Sequence, residues 1–165
     1  MGGMGLIALG DFNNKGSIEI GLFHTNKVFY RRKGSGFIGE GTEIIHISMG
    51  YRRWWTERLS SSLSFFSSYS MGSPNIVYSE FSPRNLVDTS ARDITEYGFD
   101  AAVQGDLKSW EKAALTLEGR YSHSVTPKDH ERGDQWIIML GLRVLLQQKE
   151  STTPPAKPKK TPHSL

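Results

Sequence analysis

Alternation at every second residue is the feature that most constrains what this chain can fold into. In "DQWIIMLGLRVLLQQ", Asp134 to Gln148, one face reads Trp136, Ile138, Leu140, Leu142, Val144 and Leu146 and is wholly apolar. The other reads Ile137, Met139, Gly141, Arg143, Leu145 and Gln147. Successive side chains of a strand point to opposite faces, whereas a helix would repeat every 3.6 residues, so this segment is a strand with one strongly apolar side. The apolar face covers about 11 residues, within the roughly 9–11 that a tilted transmembrane strand requires.

Six further segments alternate in the same way: "GLIALGDF" (Gly5 to Phe12), "SIEIGLFHTNKVFYR", "EIIHISMGYRRWW", "LSSSLSFFSSYSM", "TEYGFDAAVQGDL" and "KAALTLEGRYSHSV". Leu59, Leu63, Phe65, Tyr69 and Met71 share a face whose opposite is almost all serine. Tyr97, Phe99, Ala101, Val103 and Leu107 oppose Glu96, Asp100, Gln104 and Asp106; Ala113, Leu115, Leu117 and Tyr121 oppose Thr116, Glu118, Arg120 and Ser122. In the second segment His24 and Asn26 interrupt the apolar face, and a bulge is expected to re-phase it there.

The composition is compatible with strands and against several other classes. A chain of 165 residues suits one domain. A hydrophobic fraction of 37% is low for a large dry core, and no run of eighteen apolar residues is present, which argues against a helical membrane protein. Cysteine is absent, excluding disulfides and thiolate metal sites. The net charge of +3 is modest and much of it lies in the tail "KPKK", so nucleic acid is not an expected partner.

The connections sort by length. "NNKG", "TE" and "KSWE" read as tight turns, whereas "RKGSGFIGEG", the stretch from Gly72 to Ile94, and "TPKDHERGD" read as long loops. In the longest, "SPRNLVD" has Ser82 before Pro83 and predicts a short helical turn. Trp54, Trp55 and Trp110 fall beside the short turns, while Tyr30, Tyr69, Tyr97, Tyr121 and Trp136 fall where strands meet long loops. Two aromatic girdles one strand apart are what two membrane interfaces select.

On these features, residues 5 to 148 resemble the small outer-membrane β-barrel proteins of Gram-negative bacteria. The resemblance implies an all-β, antiparallel up-and-down meander forming a transmembrane barrel. Seven strands are visible; such barrels have even strand numbers and no open edge, so an eighth strand and a signal peptide are expected upstream of Met1. "MLGLRVLL" resembles the C-terminal assembly signal of that class through Gly141, Val144 and Leu146, although the class usually ends in an aromatic residue. The implied partners are membrane lipids including lipopolysaccharide and the outer-membrane assembly machinery. The short turns would face the periplasm. Residues 149–165, with four of the seven prolines, would be a disordered periplasmic tail able to meet the cell wall or a periplasmic partner.

An eight-stranded barrel is just wide enough for side chains to fill it. Glu19, Lys27, His46, Arg52, Asp100, Gln104, Asp106, Glu118, Arg120 and Arg143 fall on the inward face, where mutual pairing is expected over a channel or a ligand site. No cofactor or metal is expected. The catalytic candidates are His123 and Ser124 in "RYSHSV", similar to the His-x-Ser-Asn motif of lipid A deacylases; here the residue two after His123 is Val125, so the motif's nucleophile is missing. Arg31, Arg32, Lys33, Arg84, Arg92, Lys128 and Arg132 gather in the long loops, where they could bind lipopolysaccharide phosphates, but the acidic neighbours Glu40, Glu80, Asp129 and Glu131 dilute that field. The expected role is structural or surface interaction. A deacylase-like enzyme, a narrow channel and a soluble lipid-binding barrel are the alternatives.

Overall fold

The computed structural model describes residues 2–33, 36–80, 94–127 and 134–144. Among them lie seven strands: β1 (Met4–Asn13), β2 (Gly16–Lys33), β3 (Gly36–Trp54), β4 (Leu59–Ser79), β5 (Glu96–Ser109), β6 (Ala113–Ser124) and β7 (Gln135–Val144). They form one sheet in sequence order, with every neighbouring pair antiparallel. Polar side chains close the tight turns: Asn13 Oδ1 accepts from the Lys15 amide at 2.8 Å, and Thr56 Oγ1 accepts from the amides of Arg58 and Leu59. In the third, the Trp110 amide donates to the Ala113 carbonyl at 2.7 Å.

The sheet is curled. Arg52 on β3 reaches Glu118 on β6 at 2.5 Å, although three strand spacings would set them about 14 Å apart in a flat sheet. Curling sorts the two faces against the usual rule. Arg52, Arg120, Glu19, His46 and Asp100 on the concave face are all 0% exposed, whereas Ile138, Trp136, Leu140 and Leu142 on the convex face are 66–81% exposed. Two rings, Phe23 and Phe66, also sit inside. Glycine makes room for both: a Cβ at Gly21 would lie 2.6 Å from the Phe23 ring, and one at Gly98 would lie 2.7 Å from that of Phe66.

Several expectations are corrected. The stretch "RKGSGFIGEG" is not a long loop, because β2 runs to Lys33 and β3 starts at Gly36 opposite it. β4 likewise continues past Met71 to Ser79, pairing back with Ile38 through two register shifts. The glycines there mark irregularities within strands rather than loop residues. Since β1 joins β2 only as far as His24 and β5 joins β4 only as far as Ser68, β2, β3 and β4 continue as a three-stranded extension. The bulge expected at His24 and Asn26 is absent: β2 and β3 pair without a shift, both side chains stay on the convex side, and they bond Glu43 and the Gly2 carbonyl. The predicted helical turn in "SPRNLVD" and the tail 149–165 lie outside the described residues.

The sheet does not close among the described residues. β1 pairs only with β2 and β7 only with β6. Seven being odd, the two edge strands run in the same direction, and a space of ≈ 1700 Å³ lies along both of them. Here the concave side chains are Ile7, Leu9, Ile137 and Met139, apolar where the centre of the sheet is charged.

Candidate functional site

The concave face of β2 to β6 is built from strand parity. Every second residue points inward, and the register then decides which of them meet. Glu19, Arg52, Glu118 and Arg120 form a closed set. Arg52 Nε donates to Glu19 Oε2 and Arg52 Nη2 to Glu118 Oε2, both at 2.5 Å; Arg120 Nη2 donates to Glu19 Oε1 at 2.6 Å and to Glu118 Oε1 at 2.9 Å. Two forked guanidiniums thus bridge two carboxylates, a geometry that a lysine ammonium cannot reproduce.

This set continues outward through polar partners. Arg120 Nη1 donates to Asp100 Oδ2 at 2.9 Å, and the same oxygen lies 2.9 Å from His46 Nε2. His46 stacks on Phe66 with centroids 4.6 Å apart, and Arg120 lies over the Phe23 ring at 4.9 Å. Arg52 Nη1 completes the cluster by donating to Ser60 Oγ and Gln104 Oε1. On β4 neutral serines serve these charges from either role: Ser60 accepts from Arg52, and Ser62 Oγ donates to Glu19 Oε1 at 3.5 Å.

The remaining inward candidates form separate pairs. Lys27 Nζ donates to Glu96 Oε2 at 2.6 Å near the long-loop end, and Arg143 Nη2 donates to Asp106 Oδ2 at 2.6 Å near the short-turn end. Trp54 departs from the girdle expected of it. It shares parity with Arg52, so its indole turns inward, donating to Ser17 Oγ at 3.3 Å and stacking under Arg143 at 4.5 Å. Trp55 and Trp110 do lie on the outside at the short turns, and Tyr69, Tyr97 and Trp136 at the other end. The Tyr30 side chain and Leu146 fall outside the described residues. Of the proposed assembly residues, Gly141 faces inward and Val144 outward.

The catalytic candidates stand apart. His123 is exposed on the convex face beside Tyr121, and Ser124 turns its Oγ to the opposite side. The partner that sequence reading missed is Asp134. Its Oδ1 lies 3.1 Å from His123 Nδ1 and accepts the Ser124 amide at 3.0 Å, while its Oδ2 accepts the Tyr121 hydroxyl at 3.1 Å. Partial burial alone would raise the Asp134 pKa, but the Ser124 amide, Tyr121 hydroxyl and His123 outweigh it and hold the carboxyl below its usual range. The result is an aspartate clamp tying β7 to β6, with a histidine oriented toward solvent and no hydroxyl in reach of it among the described hydrogen bonds.

The described residues hold no group of three metal-ligating side chains. Among them no helix is long and apolar enough to cross a membrane, which says nothing of a β-barrel. Comparison with known proteins returns no matching family model, no similar curated protein and no similar solved structure.

Proposed function

We propose that this chain is the barrel domain of an integral outer-membrane protein of a Gram-negative bacterium, with a structural or surface-interaction role. The observation that carries the reading is the inverted burial. An aqueous solvent has no use for a convex face on which Leu63, Phe65, Phe99, Val103, Ile138 and Leu140 are all at least half exposed, while five charged or titratable side chains are sealed inside. Lipid reverses the preference: apolar groups face the solvent and polar ones pair within. Tyr69, Tyr97 and Trp136 at one end and Trp55 and Trp110 at the other then sit at the two interfaces.

In hydrocarbon unpaired backbone groups would each cost several kcal/mol, so in this reading the edges of β1 and β7 are paired once the chain is in the membrane. The short turns face the periplasm, and the extension of β2, β3 and β4 stands outside the membrane as the surface offered to a partner. Tight ion pairing of the interior supports a plugged barrel over a conducting one. The opposed faces of His123 and Ser124 support a non-enzymatic role.

The test is insertion. Refolded from urea in the presence of phospholipid vesicles, the chain is expected to gain β-sheet circular dichroism and to resist protease across its strands. A full-length chain that is folded and monomeric in detergent-free buffer overturns the proposal. Single-channel recording should show no steady conductance, and lipid A from cells expressing the folded protein should be unmodified.

A further inference from the structure

All three short turns carry the same combination of residues. The first, between β1 and β2, has Lys15 beside Phe12; the second has Arg53 and Arg58 around Trp55; the third has Lys108 and Lys112 around Trp110. The side chains are exposed in every case, and two of the cations sit on rings: Arg53 lies 5.0 Å from the centroid of Trp55 and Lys108 lies 5.5 Å from that of Trp110. The exposed acids here are Asp11, which turns to the concave side and accepts from Ser17, and Glu57 and Glu111, so five cations against three anions leave +2 on one rim. The arrangement lies at the margin of the exposed apolar band, just beyond Ile18, Met49, Leu63 and Val103.

We propose that this rim is a binding surface for the phosphates of acidic phospholipids in the leaflet that the short turns face. The inference rests on the membrane reading and adds to it a headgroup preference. Its support is placement. A ring of cations on an aqueous surface could serve any polyanion, but here Arg53 and Lys108 stand over aromatic rings, and all five cations lie within three residues of an aromatic one, at the edge of an apolar band. Lysine and arginine stems can lie along that band while their heads reach the headgroup level. Adjacent turns are two strand spacings apart, about 10 Å, so neighbouring headgroups along the protein's edge can each meet a basic turn. Trp55 donates its indole N–H to Ser61 Oγ at 2.9 Å, which fixes the ring that Arg53 covers. The cation is thereby held over the outer surface rather than turned into the interior.

The experiment uses the full chain in two kinds of vesicle, phosphatidylcholine alone and an equal mixture with phosphatidylglycerol, followed by extraction and native mass spectrometry of retained lipid. Folding in both with several-fold enrichment of phosphatidylglycerol among the retained lipids is the expected result. Each cation removed should lower that enrichment, by no more than about fivefold at low salt, the ceiling set by about 1 kcal/mol per basic residue near an anionic surface. The fivefold variant Lys15→Gln, Arg53→Gln, Arg58→Gln, Lys108→Gln and Lys112→Gln should therefore fold in phosphatidylcholine as the parent does and lose the preference. The variant Glu57→Gln with Glu111→Gln should strengthen it. Equal retention of the two lipids by the parent, or a preference that survives in the fivefold variant, overturns the headgroup site while leaving membrane insertion intact. Failure of the parent to insert in either vesicle overturns the membrane reading and the headgroup site with it.

Discussion

The centre of the sheet and its edges solve different problems with the same alternation. On β2 to β6 the concave face carries Glu19, Arg52, Asp100, Glu118 and Arg120, each sealed and held by partners on other strands. On β1 and β7 the same parity carries Ile7, Leu9, Ile137 and Met139, with one ion on each strand near the short-turn end, Asp11 on β1 bonded to Ser17 and Arg143 on β7 paired with Asp106. A buried charge is tolerable only where neighbours on several strands can reach it, and an edge strand has a neighbour on one side alone. Apolar concave positions are the safe choice where pairing is incomplete, and they also suit contact with one further strand.

The sharpest test of this contrast compares two arginines. Arg120→Met leaves Glu19 and Glu118 to Arg52 alone and Asp100 to His46, and unfolding of the refolded protein in micelles should show a loss of about 3–5 kcal/mol. Arg143→Met strips the guanidinium from one carboxylate, Asp106, whose side chain is 1% exposed while Arg143 itself keeps 20%, so one buried charge rather than three loses a partner and the cost should be smaller, about 1–3 kcal/mol. Equal losses in the two variants would show that the centre and the edge are not energetically distinct.

The next test concerns the outside of the edge. Ile138 is 81% exposed at the middle of β7. Ile138→Arg should cost about 2–4 kcal/mol in a bilayer, the range for arginine at the midplane of a lipid-facing strand. Measured by urea titration of vesicle-inserted protein, a change within error would mean that this edge does not face lipid.

How much of this was readable beforehand depends on the length scale of the cause. Alternation is local, so the strands, the convex apolar band and the inward parity of the charged residues all follow from neighbours in sequence. Which charges meet is not local. Arg52 and Glu118 are 66 positions apart, and their contact depends on the registers of β3 through β6 acting together. The extension of β2, β3 and β4 was misread because glycine signals a turn and a strand irregularity alike. Trp54 poses a different conflict: its place beside a short turn suits a girdle, but two residues from Arg52 its parity turns it inward. Asp134 was passed over because its importance lies in three hydrogen bonds that only strand pairing creates.

The misplaced tryptophan provides a smaller test. In variants that keep one tryptophan each, brominated lipid should quench Trp55, Trp110 and Trp136 and leave Trp54 largely unquenched. Trp54→Ala should also cost about 1–2 kcal/mol, less than a fully buried ring, because the residue is only partly buried and its partners include the polar Ser17 and Arg143. Quenching of Trp54 equal to that of Trp55 would return it to the interface.

The weakest expected effect lies at the other end of the edge, where Asp134 clamps β7 to β6. Because its carboxyl is held below the usual range in the folded protein, the clamp contributes fully above the ordinary carboxylate pKa and is lost as the pH falls through the lower folded value. Exposure of the site limits its contribution to below about 1 kcal/mol. Asp134→Asn should therefore reduce stability slightly near neutral pH and make no difference at a pH low enough to protonate the parent. The central cluster is shielded from that comparison, since the same buried carboxylates are present in both proteins. A stability difference between parent and variant that persists unchanged into strong acid would show that the carboxylate charge is not what ties the edge strand down.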